Sequence, residues 1–150
     1  MANFSTSLTE PIFTTSYRVI YADTDAGGVV YNANYLRFFE IGRSEMMRAW
    51  AISYSEIEKQ DFILPVTESY IRYKAPARYD DLITIATSLV ELKNVSIRFH
   101  YRITHARDGR EQLLCKGFTK HACVNRQGRL APFPDQLKTQ IKSIFTKKKS

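Results

Sequence analysis

The pattern of apolar and polar positions changes period along the chain. From Asn34 onward, apolar residues recur at helical spacing and predict one long amphipathic helix; they are Tyr35, Phe38, Phe39, Gly42, Met46 and Ala49. Gly42 lies on this apolar face, where the lack of a side chain would let the helix approach a sheet closely. Before the helix, residues 17–21 form a short β-prone run.

After Phe62 the period shortens to that of strands. Four long strands are predicted at 64–73, 81–92, 95–103 and 111–124, with a hairpin at Asp108-Gly109 and a terminal helix over 135–145. One strand, one long apolar helix and four antiparallel strands predict an α+β hot-dog fold, in which a curved antiparallel sheet wraps the helix. Its exposed strand edge favours pairing with a second copy, so we expect a homo-oligomer, a dimer or a tetramer.

Length and composition favour one ordinary globular domain. The chain has 150 residues, 44% of them hydrophobic and 25% charged, which predicts a single domain over 1–150 with flexible ends at 1–14 and 146–150. No apolar run is long enough for a membrane span, so no stable membrane insertion is expected. Cys115 and Cys123 lie on one predicted strand, roughly 26 Å apart, too far for a disulfide. Together these features predict a cytoplasmic protein.

The chain is basic, with a net charge of +7. The positive residues are spread over the predicted elements and a terminal run, Lys147-Lys148-Lys149, so they support nucleic-acid binding only weakly. We therefore expect no nucleic-acid partner, while a phosphate-bearing ligand stays open. His100, His105 and His121 have no metal-ligand spacing with the cysteines, and no metal site is expected.

The segment between the first strand and the helix carries the candidate chemistry. It contains two carboxylates, Asp23 and Asp25, then the pair Gly27-Gly28, then the helix start near Asn32. A helix N-terminus offers free N–H groups that can polarise a carbonyl, and an upstream carboxylate can act as nucleophile or as base for water. Alternatively, both aspartates only close a turn or cap the helix, as aspartates beside glycines commonly do.

The whole string favours the chemical interpretation. Asp-Thr-Asp-Ala-Gly-Gly-Val-Val-Tyr, at 23–31, is similar to the motif of the 4-hydroxybenzoyl-CoA thioesterase family, and most of all to its YbgC-like branch. The resemblance continues through Tyr35, Phe39, Glu40 and Arg43 on the helix and through Ala-Arg-Tyr-Asp-Asp at 77–81. It covers about residues 15–125. It implies a hot-dog fold, hydrolysis of acyl-CoA thioesters, and an oligomer built from dimers.

The resemblance also implies roles for individual residues. Asp25 is the catalytic carboxylate, Asp23 is a structural turn residue, and the backbone N–H at Asn32 polarises the thioester carbonyl. Members of this branch usually carry His where this chain has Asn32, and an amide side chain does not titrate, so only hydrogen bonding is expected of it. The expected substrate-binding residues are Gly27, Gly28, Val29, Tyr31, Tyr35 and, for the phosphates of coenzyme A, Lys93.

The leading hypothesis is therefore an acyl-CoA thioesterase acting on a short-chain or aromatic acyl group, with coenzyme A as part of the substrate and no cofactor. A hot-dog hydratase is less favoured because Val30 stands where such enzymes carry His. From another class, the alternative is a weakly catalytic partner protein of the acyl carrier protein and phospholipid synthesis or Tol-Pal systems. Acyl carrier protein is a further candidate partner under either hypothesis.

Overall fold

Five strands and three α-helices form the part of the chain that the computed structural model describes, residues 5–147. In chain order they are β1 (Phe13–Arg18), α1 (Asn34–Trp50), α2 (Tyr54–Lys59), β2 (Val66–Tyr73), β3 (Leu82–Leu92), β4 (Ser96–Arg107), β5 (Arg110–Ala122) and α3 (Asp135–Lys142). Short 3-10 turns follow β1 at Tyr21–Asp23 and α3 at Ser143–Thr146. None of the helices within 5–147 has both the length and the apolar character needed to cross a bilayer.

The strands make one antiparallel sheet in the order β1-β3-β4-β5-β2. β4 and β5 are joined by the predicted hairpin, in which Asp108 and Gly109 both have positive φ, 50° and 74°. Such a turn matches the twist of the two strands it connects. The first and second strands in sequence therefore form the two edges of the sheet, and β2 runs along an edge with mostly exposed side chains.

The long helix packs on the concave face of this sheet, which confirms the predicted hot-dog arrangement. A Cβ atom on Gly42 would lie 2.7 Å from Cγ2 of Ile85 and closer still to Oγ1 of Thr87, so only glycine allows this approach of α1 to β3. The predicted apolar helix face is confirmed with one exception. Ala49 is exposed, and Met47 is buried instead.

Alternation along β4 is also confirmed. The side chains that face α1 are almost fully buried; they are Ile97, Phe99, Tyr101 and Ile103. On the opposite face His100 is buried too, because the chain before β1 lies over it, with Ser7 O 2.7 Å from Nδ1 of His100.

The N-terminal segment is held against the sheet from Ser5 onward. Thr9 N–H donates to Ser88 Oγ at 3.1 Å, and Phe13 and Thr14 already pair with β3. Strand pairing thus begins inside the segment 1–14 that was expected to be a flexible end. The other end has local order as far as the turn that closes at Thr146, and residues 1–4 and 148–150 of the expected flexible ends lie outside the described part.

Candidate active site

The connection from β1 to α1 folds into a tight ribbon that presents Asp25 near its tip. Thr24 and Val30 form an antiparallel bridge, and Asp25 N–H donates to Val29 O at 2.9 Å. Gly28 closes the turn with an N–H bond of 3.0 Å to Asp25 O, and its φ of +82° lies in the region that favours glycine. The backbone conformation of this turn therefore favours glycine at position 28, and the missing side chain also leaves room for a ligand.

The Asp25 carboxylate is exposed and oriented by its own turn. Its Oδ1 accepts the Gly27 N–H at 2.8 Å, whereas no hydrogen bond or ion pair within residues 5–147 uses Oδ2. A Cβ on Gly27 would lie 3.2 Å from Oδ1, so this glycine also keeps the carboxylate close to the backbone. One oxygen is fixed while the other is free to meet a water molecule or a carbonyl carbon.

Asp23 lies only two residues before Asp25, but its side chain has a different environment. Its side chain is 1% exposed, and Oδ2 accepts Tyr17 Oη–H at 2.7 Å and Ile20 N–H at 2.9 Å. Oδ1 forms an ion pair with Arg37 on α1. The backbone carbonyl of Asp23 accepts the side-chain amide of Asn34 at 2.8 Å. Asp23 therefore ties the ribbon to the first two turns of α1, the environment of a structural residue.

The start of α1 lies directly beside the ribbon. Tyr31 N–H pairs with Asp23 O at 2.9 Å, and Ala33 is the helix N-cap, with φ −67° and ψ −23°. The side chains of Asn32 and Asn34 do not cap the helix, since the Asn34 amide is drawn to Asp23 instead. Among the described residues, nothing accepts a hydrogen bond from the backbone N–H groups of Asn32 and Ala33. Two adjacent donors thus stand free at the positive end of the helix dipole.

A groove of about 390 Å³ opens beside Asn32. Its lining comes from the helix start and from the connection after β2; the residues are Val30, Asn32, Tyr35, Tyr73, Lys74, Ala75 and Pro76. Tyr73 Oη–H donates to Asn32 O at 2.9 Å, and Tyr35 Oη accepts the Ala77 N–H at 3.0 Å. Burial raises the pKa of Tyr35, so its hydroxyl stays protonated. The groove has the size and the largely apolar lining typical of a small-molecule site.

The predicted site residues take four different positions in the structure. Asn32 and Tyr35 line the groove, and Asp25, Gly27, Gly28 and Val29 form the adjacent ribbon. Tyr31 joins the two but is 53% exposed and does not line the groove. Lys93 is not brought to the site within one chain. It follows the far end of β3, roughly 33 Å along the strand from Leu82, and is paired with Glu91 at 3.1 Å.

Sequence analysis did not single out Tyr73 for this site. Tyr73 is 41 residues from Asn32 in the chain, and only the path of β2 along the helix brings them together. Lys74, next to Tyr73, is the cation that the groove does contain, and no carboxylate within residues 5–147 pairs with it.

His121, the buried histidine of β5, has the hydrogen-bond partners typical of a structural residue. Nε2 of His121 lies 2.8 Å from Thr119 Oγ1 and Nδ1 lies 2.9 Å from Leu64 O. Burial, followed by the nearby Arg43 charge, lowers the pKa of His121 to about 4. Across residues 5–147, no group of His, Cys, Asp and Glu side chains is arranged to hold a metal ion.

Residues 19–141 match the model of the thioesterase-like superfamily, and the chain belongs to this family. The acyl-CoA thioesterase YbgC of Haemophilus influenzae is 37% identical over 129 residues, which cover 84% of this chain and 91% of that protein. This relative places the chain in the YbgC-like branch, as the motif at 23–31 predicted.

Two solved structures share the fold over nearly their whole length. The hypothetical protein TT1821 from Thermus thermophilus is 30% identical with a TM-score of 0.80, covering 87% of this chain and 98% of its own. Slr0204 from Synechocystis, a 1,4-dihydroxy-2-naphthoyl-CoA thioesterase, is 27% identical with a TM-score of 0.78 and covers 89% of this chain and 97% of its own. The predicted family and fold are both confirmed.

Proposed function

We propose that this protein hydrolyses the thioester of a short-chain or aromatic acyl-CoA to the free acid and coenzyme A. The observation that carries the proposal is the pairing of a free carboxylate oxygen on Asp25 with unbonded N–H donors at the start of α1, beside a groove of suitable size. The named relatives support the same activity and do not favour the alternative of a weakly catalytic partner protein.

The geometry supports a separate role for the Asn32 N–H and for the Asp25 carboxylate. The N–H of Asn32 donates a hydrogen bond to the thioester carbonyl oxygen as negative charge develops on it, and the helix dipole adds to this stabilisation. Asp25 either takes a proton from the attacking water or attacks the carbonyl carbon itself, forming an anhydride that water then opens. Both routes break the C–S bond, and the sulfur leaves as the thiolate of coenzyme A, which then takes up a proton.

Substrate recognition follows from the groove. The rings of Tyr35 and Tyr73 meet edge to face at 5.4 Å and give it an aromatic wall, which suits a compact apolar or aromatic acyl group. Lys74 offers a charge for a phosphate of coenzyme A. Lys93 keeps its predicted phosphate role only if it comes from a second subunit, because it lies at the other end of its own β3.

The assembly and its location are part of the same proposal. The exposed edge strand β2 favours a homo-oligomer, a dimer or a homotetramer of dimeric units. Acyl carrier protein, which presents the same thioester group as acyl-CoA, remains a proposed partner. Cys115 and Cys123 are both buried and unbridged, which is consistent with a cytoplasmic protein.

The test is release of free thiol from a panel of acyl-CoA thioesters, from acetyl through long-chain to benzoyl and naphthoyl. We expect turnover of at least one short-chain or aromatic member. Asp25→Asn should abolish most of this turnover, whereas Asp108→Asn, on an exposed hairpin with a φ of 50° that asparagine tolerates, is the matched control. No hydrolysis of any panel member by the folded protein would reject the proposed function.

A further inference from the structure

The carbonyl that begins α1 accepts a hydrogen bond from outside the helix. Asn32 O receives the Tyr35 N–H at 3.4 Å, a long first-turn bond, and the Tyr73 hydroxyl at 2.9 Å, a short one. Tyr73 is the last residue of β2, so this bond joins the helix start to an edge of the sheet. The stronger restraint on the Asn32 carbonyl therefore comes from a residue distant in sequence.

A hydrogen bond to a carbonyl acts on the whole peptide group. The carbonyl of Asn32 and the N–H of Ala33 belong to one planar peptide and point in opposite directions. A donor on the carbonyl fixes the orientation of that N–H and, through polarisation of the peptide, makes it a better donor. The Ala33 N–H is one of the two adjacent donors at the start of α1 that have no acceptor among residues 5–147.

We propose that Tyr73 is a positioning residue for thioester hydrolysis, which orients and polarises the Asn32–Ala33 peptide so that the Ala33 N–H serves as a second oxyanion donor beside that of Asn32. This inference rests on the proposed function and adds a residue and a donor to it. Tyr73 acts through the peptide, and the phenol itself needs no contact with the reacting carbonyl. Tyr35 supports the arrangement, since its ring contacts Tyr73 and its hydroxyl holds Ala77.

The main experiment removes only the hydroxyl. Because donors that act on the transition state change kcat, Tyr73→Phe should lower kcat about 5- to 30-fold with KM changed less than about twofold. Tyr70→Phe is the matched control, since Tyr70 lies on the same strand and its ring stacks on that of Phe118, with ring centroids 6.0 Å apart. Its kcat should stay within about twofold of the wild-type value.

Two outcomes of this experiment would overturn the inference. An unchanged kcat would mean that the hydrogen bond has no role in the reaction. A raised KM with unchanged kcat would make Tyr73 an ordinary wall of the substrate groove. Both results require an active wild type, so they differ from failure of the proposed function, in which the wild type itself hydrolyses nothing.

A double-mutant cycle identifies the donor. Ala33 has φ −67°, which proline adopts, so Ala33→Pro removes this N–H at a compatible φ and should lower kcat about 100-fold. If Tyr73 acts through that N–H, Tyr73→Phe should have little further effect in the Ala33→Pro background. Full activity of Ala33→Pro, or additive losses, would refute the assignment. If Ala33→Pro does not fold, the kcat and KM of Tyr73→Phe still decide the role of Tyr73.

Discussion

Asp23 and Asp25 carry the same side chain two residues apart, and the structure predicts opposite consequences for the same substitution. Asp25→Asn should lower kcat at least about 100-fold and leave folding nearly unchanged, because the group lost is the proposed nucleophile or base. Its exposed side chain makes one hydrogen bond, from Gly27 N–H, which an asparagine oxygen can still accept. The expected change in the free energy of unfolding is below about 0.5 kcal/mol.

Asp23→Asn should act on stability instead. The carboxylate is buried and serves three donors, Tyr17 Oη–H, Ile20 N–H and the Arg37 guanidinium. Removing one partner of a buried ion pair costs about 3–5 kcal/mol. The Arg37 side chain is 42% exposed, so water recovers part of its solvation and we expect a loss of about 2–3 kcal/mol. For a chain of this length that corresponds to a fall in Tm of roughly 5–10 °C.

Two measurements on each variant separate the roles. Urea unfolding gives the stability, and thiol release from the best acyl-CoA substrate gives kcat well below the unfolding transition. Some loss of kcat in Asp23→Asn is expected, since Asp23 helps to hold the ribbon that presents Asp25. Equal kinetic losses in the two variants with no loss of stability in Asp23→Asn would refute the division of roles.

Three further predictions concern packing, pH and assembly. Gly42→Ala should destabilise the protein by about 1–2 kcal/mol in urea unfolding, because the clash with β3 exceeds the gain in helix propensity, whereas Ser44→Ala on the same helix should stay within about 0.5 kcal/mol. His121 has a pKa of about 4 in the folded chain against 6.5 when unfolded, so the unfolded chain binds more protons between these values and stability should fall as pH drops from 6.5 towards 4, by at most about 3 kcal/mol. His121→Gln should flatten that dependence, and an equally steep profile in the variant would contradict the assignment. Light scattering should give the mass of a dimer or tetramer, and an active monomer would disprove the proposed assembly.

Local patterns predicted most of the fold because the fold repeats them over many residues. The apolar face of α1 and the alternation along β4 each depend on several side chains. One exception, such as the burial of Met47 where Ala49 was expected, therefore does not change the predicted helix. The helix cap depends on a single contact, which residue type alone does not predict. Asn34 has the residue type of a cap, but a stronger site for its amide exists at the carbonyl of Asp23.

The sequence likewise predicts only the part of the candidate site that is continuous along the chain. The Asp25 ribbon and the helix start are continuous in sequence, so a motif of nine residues could indicate them. The groove is completed by Tyr73 and Lys74, and no periodicity orders a strand end relative to a helix 41 residues earlier. Lys93 lies beyond the far end of β3 from this site, so its predicted phosphate role depends on a second subunit and stays a prediction. A related case is Asn32, where the resemblance to the family led us to expect His. The donors at this position are backbone groups, their orientation is set by Asp23 and Tyr73, and neither contact depends on the Asn32 side chain. Under the proposed mechanism, a chain whose oxyanion donors are held by two distant elements can therefore exchange the side chain at position 32 and keep the polarising function.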